Sequence, residues 1–312
     1  MKNIELKSFA KINLSLDVCG LLDNGYHEVS MVMQQILLCD DIYVKWTPSD
    51  EEEEIKIELA TNKHFLPTDN RNLAYKAAML MADNFGQNLS GRIFINIKKR
   101  IPVAAGLAGG SGNCAAVIHA INQLWSLDLT MKQLCDLGAE LGSDVPFCIM
   151  GQAAANPKLH QIYGNDPLAC HCALATGTGT DLQPLPGIKT HMILSKPAIS
   201  VSTAEVYQGI DNMEIPLHPD NATLINDIRN NAPMFDIKKN MINVLENFTL
   251  TRYPIIVQTK ANIQKLCGEH PVLMSGSGPT VYGFCDSIEE SKAICNKMLE
   301  INKESFWTRT TW

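Results

Sequence analysis

The sequence predicts an α+β protein, in which helix-period and strand-period segments recur along the chain without regular βαβ alternation. Three observations carry this. A long N-terminal run alternates apolar and polar residues, helices with recognisable caps occur in both halves, and the Pro-rich Leu182-Gln-Pro-Leu-Pro-Gly187 separates two parts that each hold both kinds of element. A chain of 312 residues is long enough for two domains, and we place them at 1–184 and 185–312.

Residues 4–18 read as a long half-buried strand. Ile4, Leu6, Ala10, Ile12, Leu14, Leu16 and Val18 share one face, interrupted only by Ser8, while Lys7, Lys11, Asn13, Ser15 and Asp17 share the other. Gly20 ends it, Asp23-Asn24-Gly25 is a turn signal, and Tyr26-His27 follow directly. Strand-like runs come at 29–38, 41–47, 54–59 and 92–98, with acidic Asp50–Glu54 as a solvated turn. The spacing predicts a helix over 72–84. After the glycine-rich stretch, Cys114, Val117, Ile118, Ile121, Leu124 and Trp125 keep helical spacing. Thr130 with Gln133 forms a capping box for a helix through Leu141, with Gly142 as its C-terminal cap. Pro146 is expected to hold Val145 extended, and Phe147-Cys-Ile-Met150 reads as a strand. The second half shows a strand at 190–195, helical patterns between 203 and 266, a strand at 271–275, another over 280–285, and a last helix capped by Ser287 with Glu290.

The formal net charge of −7 argues against a nucleic-acid partner. No apolar run approaches the roughly 18 residues that span a bilayer, so no membrane partner is expected. The N-terminus shows no signal-peptide core, so a cytoplasmic protein is expected. The ten cysteines are scattered without a CxxC pair, as suits reduced thiols serving as small core residues. Monomer and homodimer both remain open.

The chemistry centres on Pro102-Val103-Ala104-Ala105-Gly106-Leu107-Ala108-Gly109-Gly110-Ser111-Gly112. A glycine-rich turn feeding a helix offers backbone N–H groups at the positive end of the helix dipole, a phosphate site. No Lys-Ser or Lys-Thr pair closes it, which excludes a Walker loop. Gly110-Ser-Gly112-Asn-Cys-Ala115 fits a dinucleotide fingerprint by letter, but Pro102 interrupts the strand that should enter it. Lys11 and Asn13 on the first strand, Asp144 in Gly142-Ser-Asp-Val-Pro146, and Ser275-Gly-Ser-Gly-Pro279 are each weak signals alone: a solvated face, a turn carboxylate, a hairpin.

Taken together and in this order, they make the chain resemble the GHMP kinase superfamily, which includes galactokinase and the homoserine and mevalonate kinases. The match lies in Lys11-Ile-Asn13-Leu, Pro102-x-x-x-Gly106-Leu-x-Gly-Gly-Ser111 and Ser275-Gly-Ser-Gly278-Pro. Ala10-Lys-Ile-Asn-Leu14, Gly25-Tyr-His27, Asp69-Asn-Arg-Asn-Leu73 and Gly142-Ser-Asp-Val-Pro-Phe147 narrow it to the branch acting on a cytidine-diphosphate-linked methylerythritol in non-mevalonate isoprenoid synthesis. The resemblance covers nearly the whole chain. It implies an N-terminal domain like ribosomal protein S5 domain 2 and a C-terminal ferredoxin-like α/β sandwich. It implies ATP and Mg²⁺, with ATP phosphates on Pro102–Gly112 and Asn72, Leu73, Lys99 and Asn113 near the nucleoside. Tyr26 is then expected to stack on cytosine, with Tyr207 as a second face, and His27 to bond the base edge. Lys11, Asn13 and Asp144 surround the acceptor hydroxyl, Gly276-Ser277-Gly278 closes over the phosphates, and Ser111 is the candidate Mg²⁺ ligand. Asp144 takes the hydroxyl proton and Lys11 neutralises the transferring group. Other GHMP kinases, or a silent nucleotide sensor on the same fold, are the alternatives. Gly25-Tyr-His27 disfavours the first, and retention of Lys11 and Asp144 the second.

The chain departs from the family at three places. Gly112 stands where relatives often carry a second Ser or Thr. Ala108 stands where many have Gly. Ala155–Leu174 inserts about 20 residues; we expect a surface excursion near the site, with a lid as the alternative. His160, Cys170, His171 and Cys172 lie in it, but a sequence-adjacent trio does not easily chelate one metal ion.

Overall fold

A computed structural model describes residues 2–23 and 25–312; Asn24, the middle of the expected Asp23-Asn24-Gly25 turn, lies outside the described residues. In chain order the elements are β1 (Lys2–Leu21), β2 (His27–Pro48), β3 (Ile55–Thr61), α1 (Leu73–Phe85), β4 (Gly91–Lys98), α2 (Gly109–Trp125), α3 (Met131–Ala139), α4 (Val145–Ala155), α5 (Pro157–Tyr163), β5 (Cys172–Thr176), β6 (Asp181–Leu185) and β7 (His191–Lys196). There follow α6 (Thr203–Ile210), α7 (Asn221–Arg229), α8 (Met234–Ile237), α9 (Glu246–Arg252), α10 (Pro254–Cys267), β8 (Val272–Met274), β9 (Val281–Cys285), α11 (Ile288–Leu299) and β10 (Glu304–Arg309). The α+β class holds. The chain packs into two compact units, one of residues 2–10, 38–101 and 108–170, the other of 11–37, 102–107 and 171–312. The two units interleave along the sequence, and the expected 184/185 boundary lies within β6, inside the second unit.

In the first unit, the second half of β2 pairs antiparallel with β4, from Asp41 opposite Lys98 to Pro48 opposite Gly91. β3 pairs parallel with β4. Helix α1 packs on α2, and its buried residues are Met81 and the small Ala74, Ala77 and Ala78. Helix α2 is buried almost all round from Gly112 to Leu124. Thr130 and Gln133 form the expected capping box on α3, which ends at Ala139 with Glu140 rather than Gly142 as its cap.

Two expectations fail here, for one reason. Phe147–Met150 is not a strand, and Val145 is not extended; both belong to α4, with Pro146 in its first turn, where a missing N–H costs nothing. Helix α4 is buried on every side from Val145 to Ala153. A continuous apolar run carries no period that separates a buried helix from a buried strand. In the insertion α4 runs on to Ala155, and the short α5 buries Leu159 and Tyr163 while Pro157, Lys158, His160, Gln161 and Ile162 stay exposed. The Tyr163 hydroxyl accepts from Asn122 Nδ2 at 2.7 Å and donates to Leu129 O at 3.0 Å, pinning α5 to the end of α2.

In the second unit, Met31–Gln34 of β2 pairs antiparallel with β5, and β5 with β6. A four-stranded antiparallel sheet runs β10–β7–β9–β8. Counted from β7 this order is 4-1-3-2, and α10 and α11 pack on it. That is the ferredoxin-like arrangement the family resemblance implies. Lys11–Leu21 of β1 corrects a further expectation. Its polar face is not solvated: Lys11 is 4% exposed and Asn13 and Ser15 are 0%. Elements of the same unit cover it, with the buried Tyr282 hydroxyl of β9 donating to Asn13 O at 2.7 Å and Ser15 Oγ bonded to Asn221 Oδ1 of α7 at 2.6 Å. Of the ten cysteines, seven are buried, as small apolar residues are. No helix among the described residues is long and apolar enough to cross a membrane.

Candidate active site

In the first unit the site is built on the N-terminus of α2. Its cap, Ala108, has φ 53° and lends no side-chain bond; the first helical bond is Gly112 N to Ala108 O at 2.8 Å. The N–H groups of Gly109, Gly110 and Ser111 precede that bond, so they have no intrahelical partner and stand at the positive end of the dipole. Asn72 caps α1 by accepting from Ala74 N at 3.0 Å, and Leu73 comes within 3.6 Å of the place a Cβ would occupy on Gly110. In the turn before α1, hydrogen bonds from Arg71 pull the Asp69 carboxyl down to about 2.

Beneath the α2 turn lies a buried polar group. Asp40, fully buried, accepts from Lys99 Nζ at 2.5 Å, Asn113 Nδ2 at 2.8 Å, Arg100 N at 2.6 Å and Ile101 N at 2.8 Å. Asn113 also accepts from Lys99 Nζ at 3.1 Å and donates to Ser8 Oγ at 3.0 Å. Burial pulls the Lys99 pKa down, against the pull of Asp40. Lys99 and Asn113 are 5% and 4% exposed, so their side chains are committed to this frame. The Lys99 ammonium is 2.7 Å from where a Cβ on Gly109 would sit. Asp40 gave no sequence signal, being one acid in a strand with partners at 99–101 and 113. Gly112 packs as tightly: a Cβ there would lie 2.6 Å from Ser8 Oγ and 3.1 Å from Phe9 O. Asp144, partly exposed, precedes α4 without using its carboxylate as a cap.

The second unit holds the other pieces. In Pro102–Leu107, Ala104 and Gly106 are left-handed, with φ 51° and 72°. Gly106 is required twice over, because a Cβ would also sit 2.1 Å from Ser275 O. Ser275 Oγ donates to Gly106 O at 2.8 Å, and Lys11 N to Leu107 O at 3.2 Å. Lys11 Nζ donates to Asn13 Oδ1 at 2.8 Å, and that oxygen is 3.7 Å from the Cβ position of Gly276. Lys11, Asn13, the loop and Ser275–Gly278 therefore converge. Asn243, missed in the sequence, fixes this convergence by donating to Met274 O at 2.9 Å and Gly276 O at 2.8 Å. Ser277 Oγ shares a 2.9 Å bond with Thr203 Oγ1.

A third cluster, in the same unit, surrounds the start of β2. Leu22 N donates to Tyr26 O at 2.8 Å, and Tyr26 is 65% exposed. The His27 ring lies 4.9 Å from that of Tyr207, tilted 42°, and its Nε2 is 2.7 Å from Asp211 Oδ1. Among the described residues the group of three metal-binding side chains with ligand atoms within 4.8 Å is His270, Asp286 and Glu290, and His160, Cys170, His171 and Cys172 are not part of it.

A family model described as the GHMP kinases N terminal domain matches residues 72–152. A protein of Alkaliphilus metalliredigens named 4-diphosphocytidyl-2-C-methyl-D-erythritol kinase is 41% identical, covering 100% of this chain and 99% of its own. One of the same name from Clostridium botulinum is 41% identical, covering 98% of this chain and all of its own. Among solved structures, a 4-(cytidine 5'-diphospho)-2C-methyl-D-erythritol kinase aligns over 99% of this chain and 100% of its own, with TM-score 0.75 and 24% identity. A homoserine kinase from Cytophaga hutchinsonii aligns over 100% and 95%, with TM-score 0.67 and 17% identity. These likenesses show the two-domain GHMP kinase fold.

Proposed function

The chain belongs to the 4-diphosphocytidyl-2-C-methyl-D-erythritol kinases, within the GHMP kinases, and from that premise we propose how its own residues phosphorylate the 2-hydroxyl of 4-diphosphocytidyl-2-C-methyl-D-erythritol with ATP, in the non-mevalonate route to isoprenoid precursors. The observation that carries the acceptor's identity is the cluster of Tyr26, His27 and Tyr207. An exposed aromatic ring beside a held imidazole suits a base, and homoserine and mevalonate have none to offer.

The ATP phosphates bind the turn Pro102–Gly112, where the N–H groups of Gly109, Gly110 and Ser111 at the start of α2 offer an anion site. Asn72 and Leu73 flank the nucleoside. Lys99 and Asn113 act through the frame they form with Asp40, holding the first turn of α2 in place. Gly276, Ser277 and Gly278 close over the phosphates. The acceptor oxygen attacks the γ-phosphorus in line; the new O–P bond forms as the bond to the β,γ-bridging oxygen breaks, and ADP leaves. Asp144 takes the hydroxyl proton. Lys11, aligned by Asn13, neutralises charge on the transferring group.

Ser111 offers a partly exposed hydroxyl at the start of α2, a hard-oxygen ligand that suits Mg²⁺ with its usual water and phosphate ligands. Bound there, Mg²⁺ supplies charge neutralisation for the phosphates. The protein acts on a small molecule, and we infer a cytoplasmic site of action and no nucleic-acid or membrane partner.

ADP release, measured with ATP and Mg²⁺ against the cytidine-diphosphate-linked substrate, homoserine and mevalonate, tests the acceptor. Turnover confined to the cytidine compound is expected, and equal turnover of either other acceptor refutes the assignment. Asp144→Asn should lower kcat about 10²–10⁴-fold while ATP still binds. Retention of more than about a tenth of wild-type kcat removes Asp144 as the base.

A further inference from the structure

We propose that Asp211 determines which base the acceptor site takes, by fixing His27 as a hydrogen-bond acceptor at Nδ1 and so selecting an amino-bearing pyrimidine over its keto counterpart. The proposal rests on the reading of Tyr26 and His27 as the base site. Its own ground is the way α6 grips the imidazole. Tyr207 and Asp211 are four residues apart at the end of that helix, so they lie on one face. Tyr207 packs its ring 4.9 Å from the His27 ring, and Asp211 Oδ1 lies 2.7 Å from Nε2. The contact orients the ring and the carboxylate orders its protons.

An ionised carboxylate only accepts, so the Nε2 that faces Asp211 carries the hydrogen. In a neutral imidazole the other nitrogen is then an acceptor. Cytosine presents a 4-amino donor where uracil presents a 4-keto acceptor. A fixed acceptor at Nδ1 pairs with the first and opposes the second. A site built to hydrogen-bond one group rejects the analogue that cannot return the bond, because its own polar atom is left unpaired. Without Asp211 the ring is free to carry its proton on either nitrogen, and both bases find a partner. The His27 side chain is 12% exposed and that of Asp211 41%, and Asp211 directly follows the last residue of α6.

The test uses the full chain with saturating ATP and Mg²⁺, comparing the cytidine-diphosphate-linked substrate with its uridine counterpart. Asp211→Ala is expected to raise KM for the cytidine compound about tenfold or more and to shrink the cytidine-to-uridine ratio of kcat/KM by a similar factor. The KM for ATP should not change, and kcat should stay within about threefold. Asp211→Asn, whose side-chain oxygen still accepts from Nε2, should keep most of the preference. An unchanged cytidine-to-uridine ratio in Asp211→Ala overturns the proposal. A wild-type protein that treats the two bases alike overturns instead the base-site reading beneath it, so the two failures are distinct.

Discussion

Gly112 shows how a single position looks different in sequence and in space. By sequence it lacks a hydroxyl that relatives often carry. By structure the room for that side chain is already taken, because Ser8 Oγ lies 2.6 Å from the would-be Cβ and is bonded to Asn113. Gly112→Ser should therefore destabilise by about 1–3 kcal/mol through overpacking, outweighing the roughly 0.5 kcal/mol that Ser gains over Gly in a helix. Ser8→Ala should cost about 1 kcal/mol on its own, for the lost hydrogen bond from Asn113. Combined with Gly112→Ser it should restore stability, since the two hydroxyls compete for one space. Chemical denaturation of the four proteins of this cycle decides the matter, and a double variant no more stable than Gly112→Ser alone refutes the competition. Neither this pair nor Asp40 nor Asp211 was legible in the sequence. Asp211 lies 184 residues from His27, and no local pattern links residues so far apart. Lys11, Asn13 and the glycine turn were legible because motif spacing is local.

At the scale of elements, alternation in β1 told which residues share a face but not what lies against that face. Lys11, Asn13 and Ser15 read as solvent-facing and are buried, with Tyr282 of β9 donating to the Asn13 carbonyl and Asn221 of α7 bonded to the Ser15 hydroxyl. Capping signals were more dependable, because a cap is a bond between near neighbours; Thr130–Gln133 and Ser287–Glu290 both formed as read. The insertion is the clearest gain from the structure. It is a strut, with α5 seated on the end of α2 through Tyr163. Tyr163→Phe removes the hydroxyl between Asn122 Nδ2 and Leu129 O and should cost about 1–3 kcal/mol. Thermal unfolding should show the loss while kcat and KM stay at wild-type values. A variant of full stability but altered KM points to a lid instead.

For the whole molecule, composition and the interleaving of periods were enough for the α+β class, and cap and turn signals placed most helices. The 4-1-3-2 sheet was not readable without the family, because strand order is set by contacts remote in sequence. Global stability against acid depends on a further group that no motif marks. His119 of α2 is fully buried, donates from Nε2 to Ile149 O at 3.0 Å, and has no partner at Nδ1. Burial pushes its pKa down to about 4 from 6.5, against the opposing pull of the Ile149 carbonyl. The unfolded chain binds a proton between those values that the native state refuses, so the contribution is complete above about pH 6.5 and is lost as the pH falls towards 4. A depression of that size corresponds to roughly 3 kcal/mol at most, a large share of the 5–15 kcal/mol that typically holds a domain. Replacing His119 with Gln keeps a donor for Ile149 and removes the titration. The unfolding free energy of His119→Gln should therefore fall less steeply between pH 6.5 and 4 than that of the wild type. Denaturant titrations at half-unit steps of pH measure the two slopes, and parallel curves would show that the acid sensitivity of this protein lies elsewhere.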